Sequence, residues 1–255
     1  VAGVAAIGFS AREGTIRTEN ETMLMETVAD EMTLLQLNLT TRDTSVRVAS
    51  NTGTNRRVQA TYIGSENISF DETYEEDVST GIATLTLDEV QIAEFPALED
   101  VGRGTLEIAL PSDVALAIAY VGADAGTDGA EFDLASLNLE RLNLILNRGD
   151  VLVTLPDYQP LSPSVQTEPG TWTVSNGSLR VVVPEMVGTR FILSQSSNRQ
   201  PRIGESFDEL VYALEIGLNE WFLVSRRFDA LDVQLRYNVN VPNGTVRIDT
   251  ASGSD

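Results

Sequence analysis

The 255-residue chain has no cysteine and no histidine. Their absence excludes disulfides, thiolate nucleophiles, Cys/His zinc sites and every catalytic arrangement built on a Ser–His or Cys–His pair. Lysine is missing too: all 17 basic residues are arginine, set against 38 Asp and Glu, for a formal net charge of −21. A surface this negative repels phosphate backbones and anionic lipid, which argues against nucleic acid as a partner and reads as an acidic, solvated exterior. Aromatic residues make up only 6% of the chain, which works against a polysaccharide-cleaving site, since such sites combine paired carboxyls with aromatic sugar platforms. No phosphate-binding glycine loop, G-x-G-x-x-G or H-E-x-x-H sequence occurs, and neither a catalytic residue nor a cofactor is expected.

What is present suits a β protein. Apolar residues make up 42%, enough for one large core or two medium ones. Val1 to Phe9 (VAGVAAIGF) is small and apolar, ending at Ser10-Ala11-Arg12-Glu13. Nine residues cannot span a bilayer, which needs about 20. The segment is expected to continue an upstream signal peptide or membrane anchor, the other reading being a short buried strand. Residues 14–33 are polar with Met23, Leu24, Val28 and Met32 at loose helical spacing, so a short helix or a spacer is expected there. Residues 1–33 are therefore assigned to a membrane-proximal tether, 34–249 to the β domain and 250–255 to a tail.

From Leu34 a period of two takes over, with turn residues between runs. Leu35, Leu37 and Leu39 alternate with Gln36 and Asn38, and Val46 and Val48 follow a polar turn at Arg42-Asp43. Similar runs lie at Val58–Tyr62, Thr84–Leu87 and Leu106–Leu110. Between Leu137 and Pro156 the apolar phase changes at Glu140-Arg141 and again at Asn147–Asp150, and each change is expected at a corner of a chain coiling around one interior. The unit Arg148-Gly149-Asp150-Val151-Leu152-Val153 is echoed by Asn176-Gly177-Ser178-Leu179-Arg180-Val181 and by Asn243-Gly244-Thr245-Val246-Arg247-Ile248. Gly149 and Gly177 lie 28 positions apart, within the repeat range of solenoids. Ser206–Leu214 is expected as a helix or irregular insertion, and Pro160, Pro163 and Pro169 mark a long loop.

Three stretches resemble the bacterial toastrack, or adhesin-like, β-solenoid domains related to the C-terminal domains of cell-wall-active antibiotic response proteins. They are Leu106–Asp113 (LEIALPSD), Phe132–Pro156 (FDLASLNLERLNLILNRGDVLVTLP) and Leu231–Ile248. The corners Gly177-Ser178, Gly244-Thr245 and Asp43-Thr44 depart from the usual Gly-Asp. The resemblance implies an all-β, right-handed β-solenoid or β-roll behind an N-terminal hydrophobic or helical tether. It also implies an extracytoplasmic setting with structural, adhesive or envelope-sensing work, and it supplies no catalytic residues.

Four acidic side chains, Asp124, Asp128, Glu131 and Asp133, lie in a Gly-rich stretch and could give calcium oxygen ligands; the competing reading is a solvated corner. Asp71, Glu72, Glu75, Glu76 and Asp77 are expected as a solvated loop. Trp172, Trp221, Phe222 and Phe228 are expected to cap a solenoid end, or else to form an adhesive patch. Five N-x-[ST] triplets start at Asn20, Asn38, Asn67, Asn176 and Asn243, all explicable as strand or turn positions. The expected function is a membrane-tethered, non-catalytic interaction domain of the cell envelope, at the extracytoplasmic face. Its partners would be other envelope proteins or further copies meeting at solenoid ends. Alternatives are a filament or layer subunit, an accessory subunit of a membrane complex, and a polysaccharide-active β-helix enzyme.

Overall fold

The computed structural model describes residues 20–51, 56–92, 104–157, 169–184, 187–195, 201–203, 211–217, 220–225 and 233–250. Among them are nineteen strands and no helix. In chain order the strands are β1 (Asn20–Thr27), β2 (Leu34–Thr41), β3 (Ser45–Ser50), β4 (Arg57–Gly64), β5 (Ile68–Asp77), β6 (Ile82–Gln91), β7 (Thr105–Leu110) and β8 (Ala115–Asp124). Then follow β9 (Ala130–Asp133), β10 (Asn138–Arg148), β11 (Val151–Thr154), β12 (Gly170–Asn176), β13 (Ser178–Val183) and β14 (Val187–Gln195). The last are β15 (Arg202–Ile203), β16 (Val211–Gly217), β17 (Glu220–Ser225), β18 (Val233–Val241) and β19 (Thr245–Thr250).

The strands form two large mixed sheets. Sheet A runs β1-β4-β7-β3-β9-β11-β13-β19-β15, and sheet B runs β16-β17-β14-β18-β12-β10-β8-β2-β6-β5. Seven chain segments each place one strand in sheet B and the next in sheet A, and these pairs lie in the same parallel order in both sheets. That order departs from the sequence at each end. The β2/β3 pair sits inside β6/β7, and β18/β19 is inserted between β12/β13 and β14/β15. Regular coiling, each pair stacked on the one before, holds only from β8 to β13. Antiparallel strands flank the parallel body: β5 beside β6, β4 and β1 beside β7, and β17 and β16 beside β14.

The period of two explains the core, because alternate side chains point between the sheets. In-register neighbours stack into columns. One is Leu39–Tyr120–Leu144–Trp172–Val239–Leu193 in sheet B. Another is Phe132–Val153–Val181–Ile248–Ile203 in sheet A. All but Ile203 are buried. The three related corner units stack directly. Ser178 pairs Thr245 and Arg180 pairs Arg247 in register, while Val151 pairs Leu179. A Cβ on Gly177 would land on the Gly149 carbonyl oxygen, and one on Gly244 on that of Gly177, so only glycine lets these backbones approach.

Several expectations change. The phase shift at Glu140-Arg141 is no corner: β10 continues through it and absorbs the extra residue as a β-bulge between Leu139 and Arg141. The change at Asn147–Asp150 is a corner, with Gly149 at φ +122°. Residues 20–27 are neither helix nor spacer; β1 pairs β4, and Val28 and Met32 enter the core. The acidic run at 71–77 is no loop. It forms part of β5, the outermost strand of sheet B, where charge on an unpaired edge opposes pairing with other chains. Residues 211–214 of the expected helix or insertion belong to β16. The apolar segment 1–9, the proline-marked loop at 158–168 and Phe228 lie outside the described residues.

Candidate functional site

The four calcium candidates sit around the turn between β8 and β9, on one corner of the stack. Asp124 closes the turn by accepting the Gly126 N–H at 3.1 Å, and its other oxygen accepts the Arg148 Nε at 2.6 Å. The neighbouring parallel strand puts Arg148 beside Asp124 in register, a partnership the sequence reading missed. Asp128 is fixed through its backbone, whose N–H donates to the buried Ser45 hydroxyl at 3.1 Å. Glu131 points outward from β9 and faces Arg47 at 3.8 Å. Asp133 accepts the Ala135 N–H at 3.3 Å. Each carboxylate or backbone therefore has its own local partner, and among the described residues no three acidic side chains converge as a metal cage would require.

The aromatic residues divide. Trp172 is fully buried and packs against Tyr237 at 4.1 Å between ring centroids with the rings tilted by 32°, whereas Trp221 and Phe222 on β17 are half-buried. They lie toward one end of sheet B, with the Arg190 guanidinium 5.8 Å from the Phe222 ring. Burial pushes the Tyr120 phenol up to about 12, offset in part by the hydrogen bond it shares with Thr41.

A second surface stands out by its chemistry. On the outer face of sheet B, Thr86, Asn38, Ala119 and Asn143 occupy one row through successive pairings. The row continues as Thr171, Asn238 and Ile192, with Asn143 Oδ1 accepting the Thr171 N–H at 3.1 Å. A parallel row runs Thr40–Val121–Ile145–Thr173–Asn240–Ser194. Neither row holds a charged side chain. The rim does, with Asp88 and Glu220 at the ends of the second row and Arg141, Arg190 and Arg236 on the strands beside the first. Val121, Ile145 and Ile192 are 46%, 50% and 41% exposed, and Val121 pairs Ile145 in register. In a chain with a net charge of −21, a broad uncharged sheet face with exposed aliphatic residues and a charged rim has the composition of a contact surface. Its signal was available in the sequence as the outward Asn, Thr and Ala of β2, β8 and β12.

Four of the five sequon asparagines have described side chains: Asn38, Asn176 and Asn243 are exposed and Asn67 is half-buried. Asn176 Nδ2 donates to the Asn147 carbonyl at 3.1 Å, a bond that ties two stacked corners.

No family model matches the chain, and no curated protein sequence matches it. Among solved structures, a candidate cell adhesion protein from Clostridium sporogenes ATCC 15579 is similar in fold, with a TM-score of 0.67 and 14% identity, over 92% of this chain and 100% of that one. A candidate adhesin from Bacteroides fragilis NCTC 9343 aligns over 91% of this chain and 97% of that one at 9% identity, with a TM-score of 0.23. At such identities the first likeness is one of fold.

Proposed function

We propose that this chain is a non-catalytic, extracytoplasmic adhesin-like module of toastrack-type β-solenoid architecture, held at the cell envelope through the segment preceding residue 20. It engages its partner through the outer face of sheet B. The observation that carries this reading is the pair of uncharged rows across that face, exposing Val121, Ile145 and Ile192 on a strongly acidic molecule. A stack of hydrogen-bonded strands holds such a face in one arrangement at little entropic cost, and charge elsewhere keeps the remaining surface soluble. The fold shared with a candidate cell adhesion protein supports an adhesive role at the cell surface.

Assembly by strand addition at the β5 edge is the weaker alternative, because Asp71, Glu75 and Asp77 would face the like charges of an identical edge. The test is bead adhesion. Beads carrying the full chain are presented to cell envelopes of the producing organism and, separately, to beads carrying the same chain. Changing Val121 and Ile145 together to Asp should reduce envelope retention at least about tenfold, as expected when central contacts of an interface are lost. Unchanged retention by a variant that melts like the parent would sink the reading.

A further inference from the structure

The outer face of sheet A carries a single row of side chains crossing seven strands. Through successive in-register pairings it runs Glu107–Arg47–Glu131–Leu152–Arg180–Arg247–Arg202. Its first part is self-satisfied: Arg47 lies 3.7 Å from Glu107 and 3.8 Å from Glu131, opposite charges alternating strand by strand. Beyond Leu152 the alternation stops. Arg180, Arg247 and Arg202 follow on consecutive strands, about 4.8 Å apart, and all three are exposed. Like charges directly opposite each other destabilise a sheet.

One carboxylate serves this cluster. Asp249, almost buried, accepts the Arg180 Nε at 3.0 Å and the Arg247 Nε at 2.8 Å. It gathers two guanidiniums through their inner nitrogens, so three arginines are set against one carboxylate in this cluster, and Arg202 has no ion pair among the described residues. Holding Asp249 in place needs one arginine, not three in file. The excess sits on a molecule that is otherwise heavily anionic, and among the described residues no second carboxylate pairs with these three arginines, which leaves their outer nitrogens open to an oxyanion.

We infer that Arg180, Arg247 and Arg202 form an oxyanion-binding site on the outer face of sheet A, and that it takes a carboxylate or sulfate group carried by an acidic glycan. Asp249 pre-orients two of the forks, and planar guanidiniums bind such oxyanions in bidentate fashion. The net charge selects among anions. A polyphosphate backbone, with charges every few ångströms, would meet long-range repulsion along its length. A sparsely charged glycan presents one oxyanion at a time, and beyond about 8 Å physiological salt screens the remainder of the protein. The site lies on the opposite sheet from the adhesive face proposed above and does not depend on it.

The experiment is calorimetric titration of the full chain with sodium sulfate, with sialyllactose, a glycan carrying a single carboxylate, and with inorganic polyphosphate, at low and at physiological salt. The parent should bind both sulfate and sialyllactose, more weakly as salt rises. Arg202→Gln leaves Asp249 untouched and should bind both about tenfold more weakly while melting like the parent. Changing Arg180 and Arg247 together to Lys keeps the charge but removes the forks, and should weaken binding similarly. Arg47→Gln, in the balanced part of the row, should bind as the parent does. Equal binding by the parent and Arg202→Gln, or no binding by the parent, overturns the site. Sulfate binding without sialyllactose binding, or a preference for polyphosphate, overturns the glycan assignment.

Discussion

The indole N–H of Trp172 donates to the carbonyl oxygen of Leu142 at 3.0 Å, across two neighbouring parallel strands of sheet B. The ring also packs against Tyr237 and Phe191, at 4.1 and 6.2 Å between centroids, with no exposed surface. Bulk and donor can be separated. Trp172→Phe keeps most of the volume and leaves the Leu142 carbonyl without this donor, at a cost of about 1–2 kcal/mol. Trp172→Ala also opens a cavity and should cost about 3–5 kcal/mol. Urea denaturation of the two variants should give midpoints in that order, and a Phe variant as unstable as the Ala one would show that the hydrogen bond dominates.

Gly177 has no room for a side chain, because its Cβ would collide with the Gly149 carbonyl oxygen in the corner below. Both atoms belong to backbone, so relief requires shifting a strand. Gly177→Ala should therefore destabilise by at least about 1–3 kcal/mol, the usual cost of overpacking, and Gly244→Ala by a similar amount for the same reason one step along. Denaturant midpoints measure both. A Gly177→Ala protein as stable as the parent would mean that the corners are not stacked as described.

These corners mark where the fold was legible in the sequence. The likeness among Arg148–Val153, Asn176–Val181 and Asn243–Ile248 is the visible trace of direct stacking, since equivalent positions share a neighbour set. The insertion of β18/β19 between β12/β13 and β14/β15 was not legible as an order. The residues joined there are about as far apart in sequence as Gly170 and Tyr237, and local patterning carries no information on such pairings. The bulge at Glu140 and a corner produce the same phase change, so periodicity alone could not separate them. The acidic run read as a loop because charge masks the alternation of β5, whose Phe70 and Tyr74 face inward beside Glu89 and Leu85. For the candidate surfaces, each strand shows which residues face outward, but only the register shows that three arginines stand in one row.

Two glutamates on β5 should respond to pH in opposite directions. Glu76 accepts the Tyr74 hydroxyl at 2.5 Å and the Ala29 N–H at 2.9 Å, and these bonds hold its pKa below the ordinary value. A depressed carboxylate pKa contributes stability above the unfolded value, and the contribution is lost as pH falls through the folded one. Glu72 is shifted upward, first by burial and then by the nearby charge of Glu26. Its ionised form is therefore disfavoured by folding, and its penalty at neutral pH disappears on acidification. Glu76→Gln should lower the melting temperature at pH 7 and Glu72→Gln should raise it, with both differences shrinking as pH is lowered through the carboxylate range. Melting curves at several pH values check this, and shifts of the same sign would contradict it.

Asp249 links the stability of the last strands to the charge of the arginine row. Asp249→Asn removes the carboxylate that both Arg180 and Arg247 contact through Nε. The guanidinium side chains are 54% and 57% exposed, so water replaces much of the lost interaction and the cost should be only about 1 kcal/mol. The more telling effect is on anion dependence. Without Asp249 two forks lose their orienting carboxylate, but three arginines then face one another uncompensated, and this added charge outweighs the lost orientation, so that an anion binding the folded row stabilises it more by mass action. Sulfate should therefore raise the melting temperature of Asp249→Asn more than that of the parent, and sodium chloride at matched ionic strength should not reproduce the difference. Equal sulfate responses in the two proteins would mean that Asp249 does not govern the charge of this row.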